Sequence, residues 1–204
     1  MRELFHKTNP YDGFPVDDYS LDLGGWSETD TPLREIVRRV KPSRAAEVGV
    51  WKGRSLFWIC DEALQYDPCF KMLAVDTWTG APEFWNLNDA SRYGEMRLEF
   101  GHPTVYRQFI ANVIRMGRTD TVIPFPVPSN VAAMVCRSKG LTLDLVHIDG
   151  SHDYESVCQD IDGWRKVSRW MCGHDYDVPA VRRAVRERFG GGIETFKKWW
   201  FVPC

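Results

Sequence analysis

Apolar residues along this chain fall into two alternating spacings. Between Thr31 and Val40 they occupy Leu33, Ile36, Val37 and Val40, one face of a helix that Pro32 opens and Pro42 ends. Ala45–Val50 is a short, nearly unbroken apolar run, as expected of a strand buried on both faces. Helical spacing returns over Ser55–Tyr66 through Leu56, Ile59, Cys60, Ala63 and Leu64. The exchange then repeats. Met72–Asp76 predicts a strand, Val105–Met116 a helix stopped by Gly117, Thr121–Phe125 a strand, and Val131–Arg137 a helix that Ser129 or Asn130 is placed to cap. Leu143–Asp149 is the clearest strand. It is followed by a helix carrying Tyr154, Val157, Cys158, Ile161 and Trp164, a short strand at Trp170–Cys172, and a helix through Val181, Ala184, Val185 and Phe189 that Gly190 closes. Ile193–Val202 predicts one strand or a tight hairpin, with Trp199, Trp200 and Phe201 as core or as a subunit contact.

Strands and helices in alternation predict an α/β fold of Rossmann-like type, a mostly parallel central sheet with helices on both faces. Two stretches stand outside the pattern. Residues 1–25 mix Pro, Gly, Asp and aromatics without a period and predict an N-terminal arm ahead of a single domain over residues 26–204. Thr77–Pro103 fits neither period and carries Trp78, Phe84, Trp85, Tyr93 and Phe100 among polar residues. Such a stretch inside a compact domain predicts a lid or substrate loop.

Composition narrows the function. A chain of 204 residues, 44% hydrophobic and 26% charged, suits one core, and its net charge of -2 disfavours a nucleic-acid partner or an anionic membrane surface. The opening residues Arg2, Glu3, His6 and Lys7 put charge where a secretory signal needs an apolar run. No later run approaches the roughly 20 apolar residues of a membrane span. The expectation is a cytoplasmic protein with no membrane partner and a small-molecule substrate, alone or as a homo-oligomer. The six cysteines form no C-x-x-C pair and read as reduced packing residues. Arg182, Arg183, Arg186 and Arg188 read as the solvated side of a helix.

Three segments carry candidate chemistry. In Glu47-Val48-Gly49-Val50-Trp51-Lys52-Gly53-Arg54-Ser55, a strand turns into a helix through glycines that would let the backbone approach a ligand at the helix N-terminus. Asp76 ends the next strand, at the distance where such folds place an acid for ribose hydroxyls. The dinucleotide fingerprint G-x-G-x-x-G is absent, which disfavours a nicotinamide cofactor. Next, Leu143-Asp144-Leu145-Val146-His147-Ile148 delivers Asp149 at a strand's carboxyl end, where open α/β sheets bind ligands, and Gly150 lets the chain turn. His147, inside the strand, reads as a core histidine, whereas His152 lies in the loop. Finally, Gly173-His174-Asp175-Tyr176 follows the next strand. Asp149, Asp175 and a histidine converging there could ligate a divalent cation or position a proton acceptor, unless Asp175 or Asp177 caps the helix entered through Pro179.

Together these segments resemble the class I S-adenosylmethionine (SAM)-dependent methyltransferases, and within them the small-molecule branch of macrocin O-methyltransferase-like and cephalosporin-hydroxylase-like proteins. The resemblance runs from about Gly25 to Phe189 and rests on Glu47–Gly53, Val75-Asp76-Thr77-Trp78, Val146–Glu155, and Gly173–Tyr176 followed by Pro179 and Val181. It implies SAM as cofactor. Glu47, Gly49 and Gly53 would surround its methionine part, Asp76 would hold the ribose, and Ser129 would lie near the adenine. Asp149, also placed against the cofactor, and Asp175 match positions that bind magnesium in some relatives; His174 stands where those relatives carry a second acid, so a cation, magnesium or manganese, would meet an imidazole. The implied reaction is methyl transfer to an oxygen, or less readily a nitrogen, of a small polar metabolite, with Asp149 and His152 catalytic. A binding module without turnover and another nucleotide-dependent enzyme are the competing readings. The glycine-rich turn expected before Trp170 is replaced by Lys166-Val167-Ser168-Arg169, which predicts an abbreviated sheet edge.

Overall fold

The computed structural model describes residues 1–24 and 30–204. The boundary anticipated between arm and domain, at residues 25 and 26, and Gly25 itself lie outside the described residues. The chain runs through α1 (Thr31–Val40), β1 (Arg44–Val48), α2 (Arg54–Ala63), β2 (Lys71–Val75), α3 (Ala90–Glu95), β3 (Leu98–Glu99), β4 (His102–Pro103) and α4 (Val105–Arg115). It continues through β5 (Val122–Phe125), α5 (Ser129–Ser138), β6 (Leu143–Ile148), α6 (Tyr154–Trp164), β7 (Ser168–Gly173), α7 (Pro179–Phe189), β8 (Glu194–Phe196) and β9 (Trp199–Pro203).

Seven strands form the main sheet in the order β5-β2-β1-β6-β7-β9-β8. The first five are parallel, and β9 returns antiparallel to β7 with β8 paired to its far side. Period-two alternation divides the strand residues between two cores. Ala45, Met72, Ala74, Val122, Leu145 and Cys172 pack under α1, α2 and α4, while Ala46, Val48, Leu73, Val146, Ile148 and Met171 pack under α5, α6 and α7. Helices on both faces explain why the parallel strands read as continuous apolar runs.

The tail is a hairpin, and Trp199, Trp200 and Phe201 are core residues on β9. Its sheet edge is not short of pairing: β7 begins at Ser168, before the expected Trp170, and four of its residues register with β9. The glycine-free turn before β7 closes through Val167 N–H to Trp164 O at 2.9 Å. Gly173 is required by this packing, since a Cβ there would stand 2.5 Å from the Trp200 ring. All six cysteines are free thiols.

Residues 1–24 lie against the sheet edge and α4. Tyr11 donates its hydroxyl to Val122 O at 2.8 Å, and the His6 ring meets Pro124 O at 2.6 Å, so side chains occupy edge carbonyls of β5. Thr77–Pro103 is more ordered than its lack of period suggested. It holds a 3₁₀ turn at Pro82–Trp85, α3 and the two-residue strands β3 and β4, all too short to leave a periodic trace. No helix among the described residues is long and apolar enough to cross a membrane.

Candidate active site

Strand order reverses between β1 and β6: from β1 the chain builds outward to β2 and β5, and from β6 it builds the other way. The loops leaving neighbouring strand ends diverge at such a point and leave a crevice. Here the crevice is a cleft of about 790 Å³ whose walls include the loops after β1, β2, β5, β6 and β7. Gly49 (φ +83) makes the divergence sharp, and a Cβ on it would lie 2.1 Å from the Asp149 carbonyl oxygen. Sequence reasoning attributed this glycine to the approach of a ligand; the structure attributes it to the backbone of its neighbouring loop.

Asp76 ties two of these loops together. One carboxylate oxygen accepts from Val50 N–H and Trp51 N–H, both at 2.9 Å, and the other from Trp78 N–H at 2.7 Å. Trp51 and Trp78 both sit at positive φ, 52° and 53°, where bulky residues rarely rest, and the Trp78 indole donates to Trp51 O at 2.6 Å. Burial pushes the Asp76 carboxyl upward, against the pull of these backbone donors. Asp76 therefore shapes the cleft besides lining it. Trp78, anticipated in the lid, is buried against Tyr106 and Phe109.

On the β6–β7 side stand Asp149, His152, His174 and Asp175. His152 Nε2 lies 2.9 Å and His174 Nδ1 3.0 Å from the same Asp175 oxygen, Oδ2. Asp175 holds a positive φ of 55° to present it. Burial would raise the Asp175 carboxyl, but hydrogen bonds from His152 and His174 hold it well below the usual carboxylate range. The Asp175 hydrogen bond raises His152; burial lowers His174, and Asp175 and Asp149 outweigh that to raise it overall. Burial raises Asp149. One donor atom each from Asp149, His152 and Asp175 lies within 4.8 Å of the others. His174, the imidazole expected beside Asp149 and Asp175, bonds the same Asp175 oxygen as His152 and stands 4.0 Å from Asp149 Oδ1. Neither Asp175 nor Asp177 caps α7. Asp153 caps α6, accepting from Ser156 N–H at 2.9 Å.

Glu47 is not on the cleft wall. Glu47 and His147 are register partners on β1 and β6, so both side chains enter the α1–α2–α4 core and meet at 2.8 Å, His147 Nδ1 to Glu47 Oε1. Burial pushes Glu47 up to about 8 and His147 down to about 4, so near neutral pH the pair carries no net charge. His147 is thus the core histidine its place in a strand predicted, stacked on Trp199. Gly53 lines the cleft at the start of α2, although a Cβ on it would meet Phe57 and Phe109 rather than open space. Ser129 also lines the cleft but does not cap α5: its hydroxyl donates to Asp160 at 2.5 Å and accepts from the Trp164 indole at 2.9 Å.

Two groups escaped sequence reasoning. Lys52 is buried, 3% exposed, and its ammonium bonds Asp22 at 2.9 Å and Glu95 at 2.5 Å, tying the N-terminal residues to α3 above the cleft. Asp160 is a buried acid on α6 that lines the cleft. Nothing in a single sequence separates such an acid from the solvated side of a helix.

Comparison with known proteins agrees with this geometry. A family model described as a methyltransferase domain matches residues 46–176, from β1 to just beyond Asp175. An uncharacterized protein, y4gI, of Sinorhizobium fredii (strain NBRC 101917 / NGR234) is 28% identical over 131 residues; the match covers 63% of this chain and 12% of that protein's length. Among solved structures, the calicheamicin methyltransferase CalS11 superposes with a TM-score of 0.61 at 15% identity, covering 89% of this chain and 80% of that one. The O-methyltransferase from Bacillus cereus in complex with SAH gives 0.61 at 12% identity over 90% and 84%, and the O-methyltransferase NovP 0.60 at 16% over 85% and 78%. At these identities the structural likeness is one of fold.

Proposed function

This chain belongs to the methyltransferase-domain family, which makes it a class I SAM-dependent methyltransferase, and from that premise we propose that its methyl acceptor is an oxygen of a small polar metabolite. The observation that carries the proposal is that one cleft joins the loops after β1 and β2 to the Asp149, His152 and Asp175 cluster. Its volume, about 790 Å³, lies within the range of small-ligand sites. The net charge of -2 speaks against a nucleic-acid acceptor. The CalS11 and NovP likenesses and the motifs around Asp149 favour the small-molecule branch.

SAM, when bound, supplies an electrophilic methyl group on a sulfonium. The chain must hold an acceptor hydroxyl in line with it and take the hydroxyl proton. A carboxylate oxygen only accepts hydrogen bonds, so the hydrogens facing Asp175 Oδ2 sit on His152 Nε2 and His174 Nδ1. That leaves the lone pair of neutral His152 on Nδ1, on a ring that is half exposed. His152 Nδ1 is the proton acceptor in this reading, Asp175 fixes its tautomer, and Asp149 orients the hydroxyl.

A second version rests on the convergence of donor atoms from Asp149, His152 and Asp175. A divalent cation held there would lower the hydroxyl's pKa as a Lewis acid. Two carboxylates and an imidazole suit manganese better than magnesium, which prefers oxygen ligands. The test of the function is to offer methyl-labelled SAM with pools of small hydroxylated metabolites, small amines and nucleic acid. Label recovered as a methyl ether of a small molecule is expected. Transfer to nitrogen or nucleic acid alone would overturn the proposal.

A further inference from the structure

The N-terminal segment, the loop after β1 and α3 meet at one side chain. Lys52 lines the cleft with 3% of its side chain exposed, and its ammonium bonds Asp22 Oδ2 at 2.9 Å and Glu95 Oε2 at 2.5 Å. Each anchor adjoins a residue of the cleft wall. Asp22 precedes Leu23, and Glu95 follows Arg92 by three positions on α3, a spacing that makes helix residues neighbours.

The two anchors are held unequally. Asp22 is built in: Asn112, fully buried on α4, donates from Nδ2 to Asp22 O at 2.7 Å and to Lys52 O at 2.8 Å, and its Oδ1 accepts from Asp22 N–H at 3.2 Å. Gly24 then passes so close over the lysine stem that a Cβ there would stand 2.8 Å from Lys52 Cδ. Burial works to raise the Asp22 carboxyl, and Lys52 leads the groups that outweigh it and hold the carboxyl below its ordinary value. Glu95 is attached from outside. It is the last residue of α3, its side chain is 44% exposed, and Lys52 is its one ion-pair partner among the described residues. A helix of six residues, none of them buried, needs outside support, and Lys52 supplies it beside the buried Met96 that follows. An acid at a helix C-terminus opposes the helix dipole, so Glu95 weakens α3 locally and strengthens it only through Lys52.

We propose that Glu95 is a positioning residue: through Lys52 it latches α3 to the loop after β1, so that SAM bound on that loop fixes Arg92 in the cleft wall before an acceptor enters. The assignment rests on the reading of this cleft as the SAM site. A ligand that orders the loop orders Lys52 with it, and α3 then has less freedom to lose on closing.

The test is hydrogen exchange of peptides covering residues 20–24 and 90–97, with and without S-adenosylhomocysteine, in wild type, Glu95→Ala and Glu95→Lys. Melting curves check folding, and calorimetry gives the affinity for the ligand. In wild type the ligand is expected to slow exchange over 90–97 at least threefold. Glu95→Ala should speed exchange there at least threefold and abolish the ligand's effect, with affinity within about threefold of wild type and with 20–24 unchanged, because Asn112 still holds Asp22. Glu95→Lys, which sets a second ammonium against Lys52, should open α3 further. Local helix energetics act the other way: alanine favours helix, and losing the terminal acid relieves the dipole, so without a latch both variants would exchange more slowly. Exchange over 90–97 that is unchanged or slower in the variants, or a ligand effect that survives in them, would overturn the latch while leaving the SAM site intact. Faster exchange in both segments alike would make Glu95 a general stabiliser and overturn it equally, as would wild type that binds the ligand without slowing 90–97. Wild type that does not bind the ligand would overturn the SAM-site reading itself and this proposal with it.

Discussion

The backbone oxygen of Asp149 lies 2.1 Å from where a Cβ on Gly49 would stand, so the loops leaving β1 and β6 are in contact at the floor of the cleft. Space for a ligand begins above that contact. Gly49→Ala would therefore force the loops apart at a residue whose φ of +83° already disfavours a side chain. A stability loss of roughly 3 kcal/mol or more is expected in denaturant unfolding, together with loss of SAM binding. An unchanged midpoint would mean that the loops separate freely.

Glu47 and His147 give a contrast between two substitutions at one position. The neutral, fully buried pair is mimicked by Glu47→Gln, which keeps a hydrogen-bonding group of the same shape, so a cost under about 1.5 kcal/mol is expected. Glu47→Ala leaves His147 Nδ1 unpartnered beside a cavity and should cost roughly 2–4 kcal/mol. Equal losses for the two variants, measured by urea unfolding, would argue that Glu47 is ionised in the fold.

Asp160 makes stability depend on pH in a defined direction. Its folded value of about 6 lies above its ordinary 3.8, so its protonated form is the one the fold prefers. The stabilisation from that proton is complete below pH 3.8 and is lost as pH rises through about 6, by up to about 3 kcal/mol. Asp160→Asn should flatten the difference between stability at pH 4 and pH 7 relative to wild type. Parallel curves for the two proteins would contradict the assignment.

Lys52 bridges Asp22 and Glu95, so its removal should be read in the segments it joins. Lys52→Met leaves two carboxylates facing each other and is expected to speed protease cleavage between residues 77 and 103. SAM with an acceptor should slow cleavage there in wild type, because closing a site against water brings that segment over the ligand. Cleavage indifferent to both changes would remove the lid from the account.

How far the sequence discloses the site can be judged from these residues. The parallel strands and their helices were legible because burial on both faces leaves long apolar runs with clear periods, and Asp149 was legible because it ends the plainest of them. The burial of Glu47 was not legible, since motif position reveals neighbours along the chain, whereas its partner His147 comes from register with a strand a hundred positions away. The elements inside Thr77–Pro103 were invisible because two to six residues are too few to define a period. His174 adjoins Asp175 in sequence, whereas His152 reaches the same Asp175 oxygen from 23 positions away, across the β6–β7 crossover, so the sequence brings forward the first and not the second.

The reaction-centre assignment rests most directly on turnover of variants that still bind SAM. Once an acceptor is in hand, Asp149→Asn and His152→Ala should each lower kcat at least a hundredfold with SAM affinity, measured by calorimetry, within about threefold of wild type. Activity lost to chelator and restored by manganese would place a cation among Asp149, His152 and Asp175, and activity untouched by chelator would leave His152 Nδ1 as the proton acceptor. Full turnover in both variants at unchanged SAM affinity would contradict the claim that chemistry occurs at this cluster.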